Sequence, residues 1–391
     1  MQSRKAKHNA LTESGSVIAY FVTEDWYFCS HRLQLAVAAK EAGYTVYVVT
    51  RVNSHGAEIE AAGLNLVPVT LSRRSKNPIV EAMFIWRLVR IYKEIRPDIA
   101  HHIAMKPVIY GSIAARAARA ARVPAVVNAM AGLGFLFSSE KLIARLLRPV
   151  IRVLFRQLLN NDRTTVILQN PDDVKVLCDS GTVIRDHVRL IRGSGVDTDV
   201  YQYQPEPDGV PIVLLASRLL WDKGIGEFVD AASRINRERS NVRFVLVGEG
   251  DDENPASISA DQLKEWNKQG NVECWGRRSD MPEIFAEAHI VCLPTAYGEG
   301  VPKVLIEAAS CGRPIVATDA PGCREIVVDG KNGILVPVRD VDALVLAICK
   351  LLDSPVLRRQ MGQSGRQLVK EEFSLEKVIG ETLAIYRSSR Q

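Results

Sequence analysis

The sequence predicts an α/β protein built as two doubly wound domains. Short apolar, β-branched runs alternate with helical stretches along the whole chain, the pattern of parallel strands covered on both faces by helices. The alternation breaks once, in a Gly, Pro and Asp cluster from Gly193-Ser194-Gly195-Val196-Asp197 to Pro205-Glu206-Pro207-Asp208-Gly209, and then restarts. With 391 residues there is room for two domains of ordinary size.

In the first half, Val17–Val22 reads as a strand, and an Ala/Leu-rich helix from about Arg32 to Ala42 is closed by Gly43. Tyr44–Thr50 is the second strand, and others fall near Leu66–Val69, Asp98–His101, Ala125–Asn128 and Thr165–Gln169. The second half opens with Pro211–Ala216 and continues through Val242–Val247, Val272–Trp275, Ile290–Leu293, Ile315–Thr318 and Ile334–Val336. The expected division is an N-terminal domain over 1–198, a C-terminal domain over 199–372, and a last segment, 373–391, whose helix (about Ser374 to Arg387) can return to the first domain. Open parallel sheets bind ligands beyond the carboxyl ends of their strands, so the expected site is a cleft across which the two domains face each other.

Composition is that of a globular protein, 47% hydrophobic and 24% charged, and a net charge of +5 is too mild to argue for nucleic acid. The seven cysteines form no C-x-x-C pair and mostly sit in apolar runs, which fits reduced, buried thiols in a cytosolic compartment. Met1 to Gly15 is polar and does not read as a signal peptide. No apolar run reaches the roughly 18 residues of an ordinary spanning helix. No His/Cys/Asp cluster has metal-ligand spacing, so no metal is expected. The G-x-G-x-x-G fingerprint is absent, which argues against a nicotinamide dehydrogenase.

The most informative stretch is Glu299-Gly300-Val301-Pro302-Lys303-Val304-Leu305-Ile306-Glu307, two carboxylates with seven residues between them. Glu299 ends a loop after the Ile290–Leu293 strand, and Glu307 lies inside the helix that starts after Pro302. The opening of such a helix offers backbone N–H groups and a positive dipole end to an anion. An acid on either side of that anion can accept hydroxyl hydrogen bonds, which is the layout of a sugar nucleotide. Arg218 and Lys223, on the loop after Pro211–Ala216, supply a guanidinium fork and a point charge suited to a diphosphate. Alone, such a pair is ordinarily a solvated loop; beside Glu299 and Glu307 it reads as diphosphate binding.

Other candidates are less specific. Gly248 and Glu249 follow a strand where a turn permits close backbone approach. Arg277, after Trp275-Gly276, is equally a base contact or a surface arginine. His101 and His102 are strand neighbours, so at most one points into a given crevice, and a packed histidine is the plainer fate of either. Gly132 and Gly134 make an apolar loop edge after the Ala125–Asn128 strand. Lys141, Arg145, Arg148, Arg152 and Arg156 are spaced by 4, 3, 4 and 4, one helical stripe on an otherwise apolar segment. That stripe suits an anionic membrane surface or the solvated face of a core helix, and Pro149 leaves open two helices in place of one. Arg73, Arg74 and Lys76 lie in another loop of the same domain and favour the membrane.

Together these residues resemble family 4 of the retaining, GT-B-type glycosyltransferases, from the His31-Arg32 helix start to Asp329-Gly330-Lys331-Asn332-Gly333. The specific part is Arg218/Lys223, the Glu299–Glu307 pair and Gly312-Arg313-Pro314-Ile315-Val316-Ala317-Thr318. Asp251-Asp252-Glu253-Asn254-Pro255, Gly276-Arg277-Arg278-Ser279-Asp280 and the Gly-Val-Pro form of the acid motif resemble bacterial enzymes that extend undecaprenyl-diphosphate-linked sugars, including N-acetylgalactosaminyl transferases. Many family members carry a glycine pair after the first strand; this chain has Thr23-Glu24-Asp25-Trp26.

The resemblance implies a two-domain GT-B fold and transfer, with retained configuration and without metal, of a hexose or N-acetylhexosamine. The donor is a nucleotide sugar, most often UDP-linked, used as co-substrate with no other cofactor, and the acceptor is a lipid-linked saccharide. Arg218 and Lys223 would hold the diphosphate and Glu307 the ribose. Glu299 and the amides of Gly300 to Val304, with Val301, Pro302 and Lys303 between, would hold the sugar and β-phosphate. The implied location is the cytoplasmic face of the inner membrane, by peripheral contact. A sugar-nucleotide epimerase of the same fold and an inactive membrane-associated scaffold are the alternatives.

Overall fold

The computed structural model describes residues 15–71, 77–118, 125–133, 142–251, 253–296 and 298–389. Arg73, Arg74, Lys76, Gly134, Lys141, Asp252 and the side chain of Arg145 lie outside that description. The chain divides into two compact units. The first comprises the described parts of Met1–Ala129, Asn161–Thr165 and Leu383–Gln391; the second comprises those of Met130–Asn160 and Val166–Thr382.

One sheet has seven strands: β1 (Val17–Glu24), β2 (Thr45–Arg51), β3 (Asn65–Pro68), β4 (Ile99–Ile103), β5 (Ala125–Met130), β6 (Thr164–Leu168) and β7 (Val188–Leu190). Their order is β3-β2-β1-β4-β5-β6-β7. The other has six: β8 (Ile212–Ala216), β9 (Arg243–Val247), β10 (Glu273–Gly276), β11 (Ile290–Leu293), β12 (Ile315–Thr318) and β13 (Gly333–Val336), in the order β10-β9-β8-β11-β12-β13. The ladders are parallel, and central strands such as β4, β8 and β11 are buried throughout. These are the two doubly wound domains the alternation predicts. The strand β7 was not expected: it has three residues, two of them exposed, and so presents no apolar run. The helix Asp25–His31 directly after β1 was likewise not read.

Helix starts follow ordinary capping chemistry. Asn77, Asn170 and Ser354 each stand before a proline, and their side chains accept a backbone N–H of the first turn. The helix Leu142–Leu159 runs through Pro149 as one element, so the two-helix alternative does not apply.

In the first unit, the place of a glycine pair is taken by a polar lock. Asp25 is buried; its Oδ2 accepts the backbone N–H groups of Asn53 at 2.7 Å, Ser54 at 3.0 Å and His55 at 2.8 Å. Burial pushes its carboxyl up, but the N–H groups of His55, Asn53 and Trp26, with the charge on His55, outweigh it, and the net direction is down. Glu24 receives the Asn53 amide and the Arg51 guanidinium. A side-chain carboxylate here shapes the β2 exit loop from within. In the same unit Tyr386, from the last helix, bonds Tyr20 at 2.8 Å and His101 at 2.6 Å.

His101 and His102 are both buried. His102 Nδ1 donates to Asn128 Oδ1 at 2.8 Å, and its Nε2 accepts from the Tyr92 hydroxyl at 3.0 Å, a pairing that assigns the neutral ring. Burial pulls its pKa from 6.5 down to about 4, against the Asn128 bond, which raises it. The unfolded chain therefore takes the proton first. Stability present above pH 6.5 is lost as pH falls towards 4, by about 3 kcal/mol over the full window. His101 is shifted in the same direction. Thermal midpoints measured between pH 4.5 and 6.5 are expected to fall on acidification, with a slope shallower by about one proton in His102→Gln; an unchanged slope would refute the assignment.

Candidate donor site

In the six-stranded sheet the chain reverses between β8 and β11, the switch point at which an open parallel sheet leaves a crevice. The loop after β8 carries Arg218 and Lys223, and the loop after β11 carries Glu299. Two features bring these loops together. Gly224 has φ +75°, and a Cβ there would stand 2.0 Å from the Pro294 carbonyl oxygen, so only glycine lets the turn lie against the β11 exit. The Asp222 carbonyl then accepts both the Thr295 hydroxyl at 3.1 Å and the Ala296 N–H at 3.0 Å. The result is an ion pair of Lys223 Nζ with Glu299 Oε1 at 2.6 Å, both side chains mostly shielded.

The other charged groups are paired as well. Arg218 meets Asp251 at 2.9 Å, and Lys303 meets Glu307 at 3.0 Å across one helical turn. Glu307 is buried in the helix Lys303–Ser310, beside Tyr201, whose phenol burial pushes up with help from the Glu307 carboxylate. Pro302 caps this helix without a side-chain bond, so its first-turn N–H groups have no partner from a capping side chain. Gly248 (φ +141°) lets the β9 exit touch the Ser217 carbonyl. Arg277 pairs with Glu249 at 2.9 Å, both well exposed.

The acid loop itself is packed as bare backbone. Gln169 Oε1 accepts the Val301 N–H at 3.1 Å, so that amide is already engaged. Asn170 Nδ2 donates to the carbonyls of Glu299 at 3.2 Å and Gly300 at 3.3 Å. Gly132 packs against the same backbone, where a Cβ would lie 2.7 Å from the Gly300 nitrogen. Gly132 thus lies against the acid loop. Gln169, Asn170 and Gly322 were not singled out from sequence. Asn170-Pro171-Asp172-Asp173 is legible as a helix start, but nothing in it announces a bond to a residue 129 positions on.

Of the basic stripe, Arg156 donates to the Gly181 carbonyl at 2.9 Å and the Ser180 carbonyl at 3.5 Å, closing the helix Pro171–Asp179. Arg148 is half-buried, Arg152 is exposed, and Leu147, Val150 and Val153 beside them are exposed. The stripe is therefore partly structural.

Two parallel-sheet domains, with paired acids and cations at a strand-end crevice and a helix start, are the build of a GT-B glycosyltransferase. Family models agree: residues 17–170 match the glycosyl transferase 4-like model, and 210–354 match glycosyl transferases group 1. The chain is 28% identical over 349 residues to N,N'-diacetylbacillosaminyl-diphospho-undecaprenol alpha-1,3-N-acetylgalactosaminyltransferase of Campylobacter jejuni, covering 86% of this chain and 89% of that one. It is 29% identical to alpha-D-kanosaminyltransferase of Streptomyces kanamyceticus over 46% of each chain, and so spans about half the length of that relative. Among solved structures, sucrose-phosphate synthase from Thermosynechococcus elongatus superposes with a TM-score of 0.78 at 20% identity, covering 96% of this chain and 99% of that one. HepE of Anabaena, in complex with UDP and glucose, gives 0.76 at 19%, covering 95% and 99%. The chain belongs to family 4 of the GT-B-type glycosyltransferases.

Gly322 tests the packing of the acid loop. It has φ +84°, and a Cβ would meet the Gly300 carbonyl oxygen at 1.9 Å and that of Glu299 at 2.7 Å. Gly322→Ala is expected to cost about 3 kcal/mol and to displace the loop. A melt and a transfer assay that both matched wild type would show that the loop tolerates a methyl group there.

Proposed function

We propose that the protein transfers a hexose or N-acetylhexosamine, with retention, from a UDP-linked donor to a saccharide on a polyprenyl diphosphate. The observation that carries this reading is the Lys223–Glu299 pair at the entrance of the Lys303–Ser310 helix. The similarity to a diphospho-undecaprenol transferase over 86% of the chain supports the acceptor class. In this reading the donor diphosphate takes the place of carboxylate partners: Lys223 turns from Glu299, and Arg218 from Asp251, towards phosphate oxygens. The bond from the anomeric carbon to the β-phosphate oxygen breaks, and the acceptor hydroxyl oxygen bonds that carbon on the same face. The hydroxyl proton passes to the departing phosphate oxygen. Charge developing on the leaving group is stabilised by the two cations and the helix N-terminus, without assigning a part to metal. Glu299, released by Lys223, accepts sugar hydroxyls and so positions the sugar; Glu307 receives the ribose hydroxyls.

Release of UDP from UDP-N-acetylgalactosamine, with a polyprenyl-diphosphate saccharide present and absent, tests the reaction class. Acceptor-dependent release, reduced at least a hundredfold in both Lys223→Ala and Glu299→Ala, is expected, in line with loss of a preorganised charge. Near-wild-type transfer by either variant overturns the site assignment. Epimerised UDP sugar without acceptor, or binding with no turnover across an acceptor panel, overturns the transferase reading.

Peripheral contact with an anionic membrane is part of the same reading. Among the described residues no helix is long and apolar enough to cross a membrane. The helix Pro78–Ile95, however, exposes Ile79, Val80, Met83 and Trp86, followed on the same side by Arg87 and Arg90, whose guanidinium lies 5.0 Å from the Trp86 ring centre. An apolar stripe backed by cations suits the headgroup boundary. Sedimentation with phosphatidylglycerol vesicles is expected to be salt-sensitive and to fall at least tenfold in Met83→Ser/Trp86→Ser, and less in Arg148→Gln/Arg152→Gln. Sedimentation unchanged in the first variant would overturn this contact.

A further inference from the structure

We infer that Gln169 and Asn170 are positioning residues for the reaction, setting the backbone of Glu299–Gly300–Val301 so that the Glu299 side chain and the helix start address the donor sugar. This rests on the donor-site reading above and assigns a role to two residues that never need to touch the donor.

Two consecutive side chains bond the backbone of the acid loop. Asn170 is fully buried, and its single amide group is shared among the carbonyl oxygens of Glu299 and Gly300 and the Asp173 carboxylate, 3.0 Å away. Its Oδ1 meanwhile accepts the Asp173 N–H at 2.7 Å and so caps the Pro171–Asp179 helix. The rigid start of that helix thereby grips two successive peptide carbonyls of the loop. Gln169, also buried, takes the next N–H, that of Val301. A Cβ on Gly300 would stand 1.9 Å from Gln169 Oε1, so the Gln169 amide occupies the space that a side chain at 300 would take. Carbonyls turned to one residue and an N–H turned to its neighbour fix two peptide planes between Glu299 and Val301. The direction in which Glu299 leaves the backbone follows from those planes.

Such a role has a signature that a plain loss of stability lacks. A positioning defect weakens what the loop holds, the sugar and β-phosphate, and leaves what Glu307 holds, the ribose end. The affinity ratio of UDP-N-acetylgalactosamine to UDP is therefore the readout, alongside kcat. Asn170→Ser keeps an oxygen able to cap the helix but is too short to reach the loop carbonyls. Gln169→Met removes the acceptor at similar size, and Gln169→Glu keeps it.

The expectation is that Asn170→Ser and Gln169→Met lower kcat between ten- and a hundredfold, the range a misplacement of about an ångström produces. Binding of UDP itself, followed by calorimetry, should change less than threefold while the preference for the sugar nucleotide collapses. Gln169→Glu is expected to restore activity to within threefold of wild type. If UDP and UDP-N-acetylgalactosamine weaken in parallel in the Ser and Met variants, or kcat is unchanged, the positioning role is wrong. Glu307→Gln in the same titration separates this from failure of the donor reading: unchanged UDP affinity there would remove the donor site itself.

Discussion

Everything at the candidate site depends on burying bare backbone at Glu299–Gly300–Val301. A buried peptide group without a partner costs about 1–3 kcal/mol, so the loop can lie deep only where donors and acceptors await it. Asn170 and Gln169 supply three of them. Gly132 and Gly322 leave out the side chains that would hold the neighbouring backbone away. Glycine at these places is thus a condition of the loop's depth, and that depth sets where Glu299 stands relative to Lys223.

The helix that follows is held from its other end with the same economy. Arg366 donates to the carbonyl and hydroxyl of Ser310, the last residue of the helix, and to the carbonyls of Tyr201 and Thr198. Arg313, buried just beyond, donates to Ala288, Gln204 and Pro205. Arg358 forms a fork on Glu206. Three arginines therefore bind the segment from Thr198 to Glu206 to the body of the second unit. In composition the Gly/Pro/Asp cluster there marks a domain boundary; its carbonyls make it part of the frame around the helix carrying Glu307.

What sequence made legible were the features with local causes. Apolar runs marked the buried strands, and an oxygen-bearing cap followed by proline marked helix starts. The acid pair with its two cations marked a strand-end site. What it did not yield has non-local causes. β7 is three residues long with two of them exposed, so its pairing comes from its neighbour β6. The bonds from Gln169 and Asn170 span more than a hundred residues, and no spacing rule reaches that far. The Arg152/Arg156 stripe was legible as a periodicity, yet Arg156 is used to close a helix, which periodicity alone does not distinguish from a free charge.

The two cations proposed for the diphosphate are held by carboxylates, Lys223 by Glu299 and Arg218 by Asp251, and Lys303 is held by Glu307. This has an energetic meaning. An unpaired, largely shielded ammonium would carry a desolvation cost of several kcal/mol, so Glu299 offsets the burial of Lys223. In the proposed donor complex a dianionic diphosphate would bring Lys223 and Arg218 as much charge as their two carboxylates do, and the exchange would free Glu299 to accept sugar hydroxyls. On that reading Glu299 and the ligand are alternative partners for Lys223: the carboxylate that offsets the burial of the ammonium is the one offered to the sugar hydroxyls.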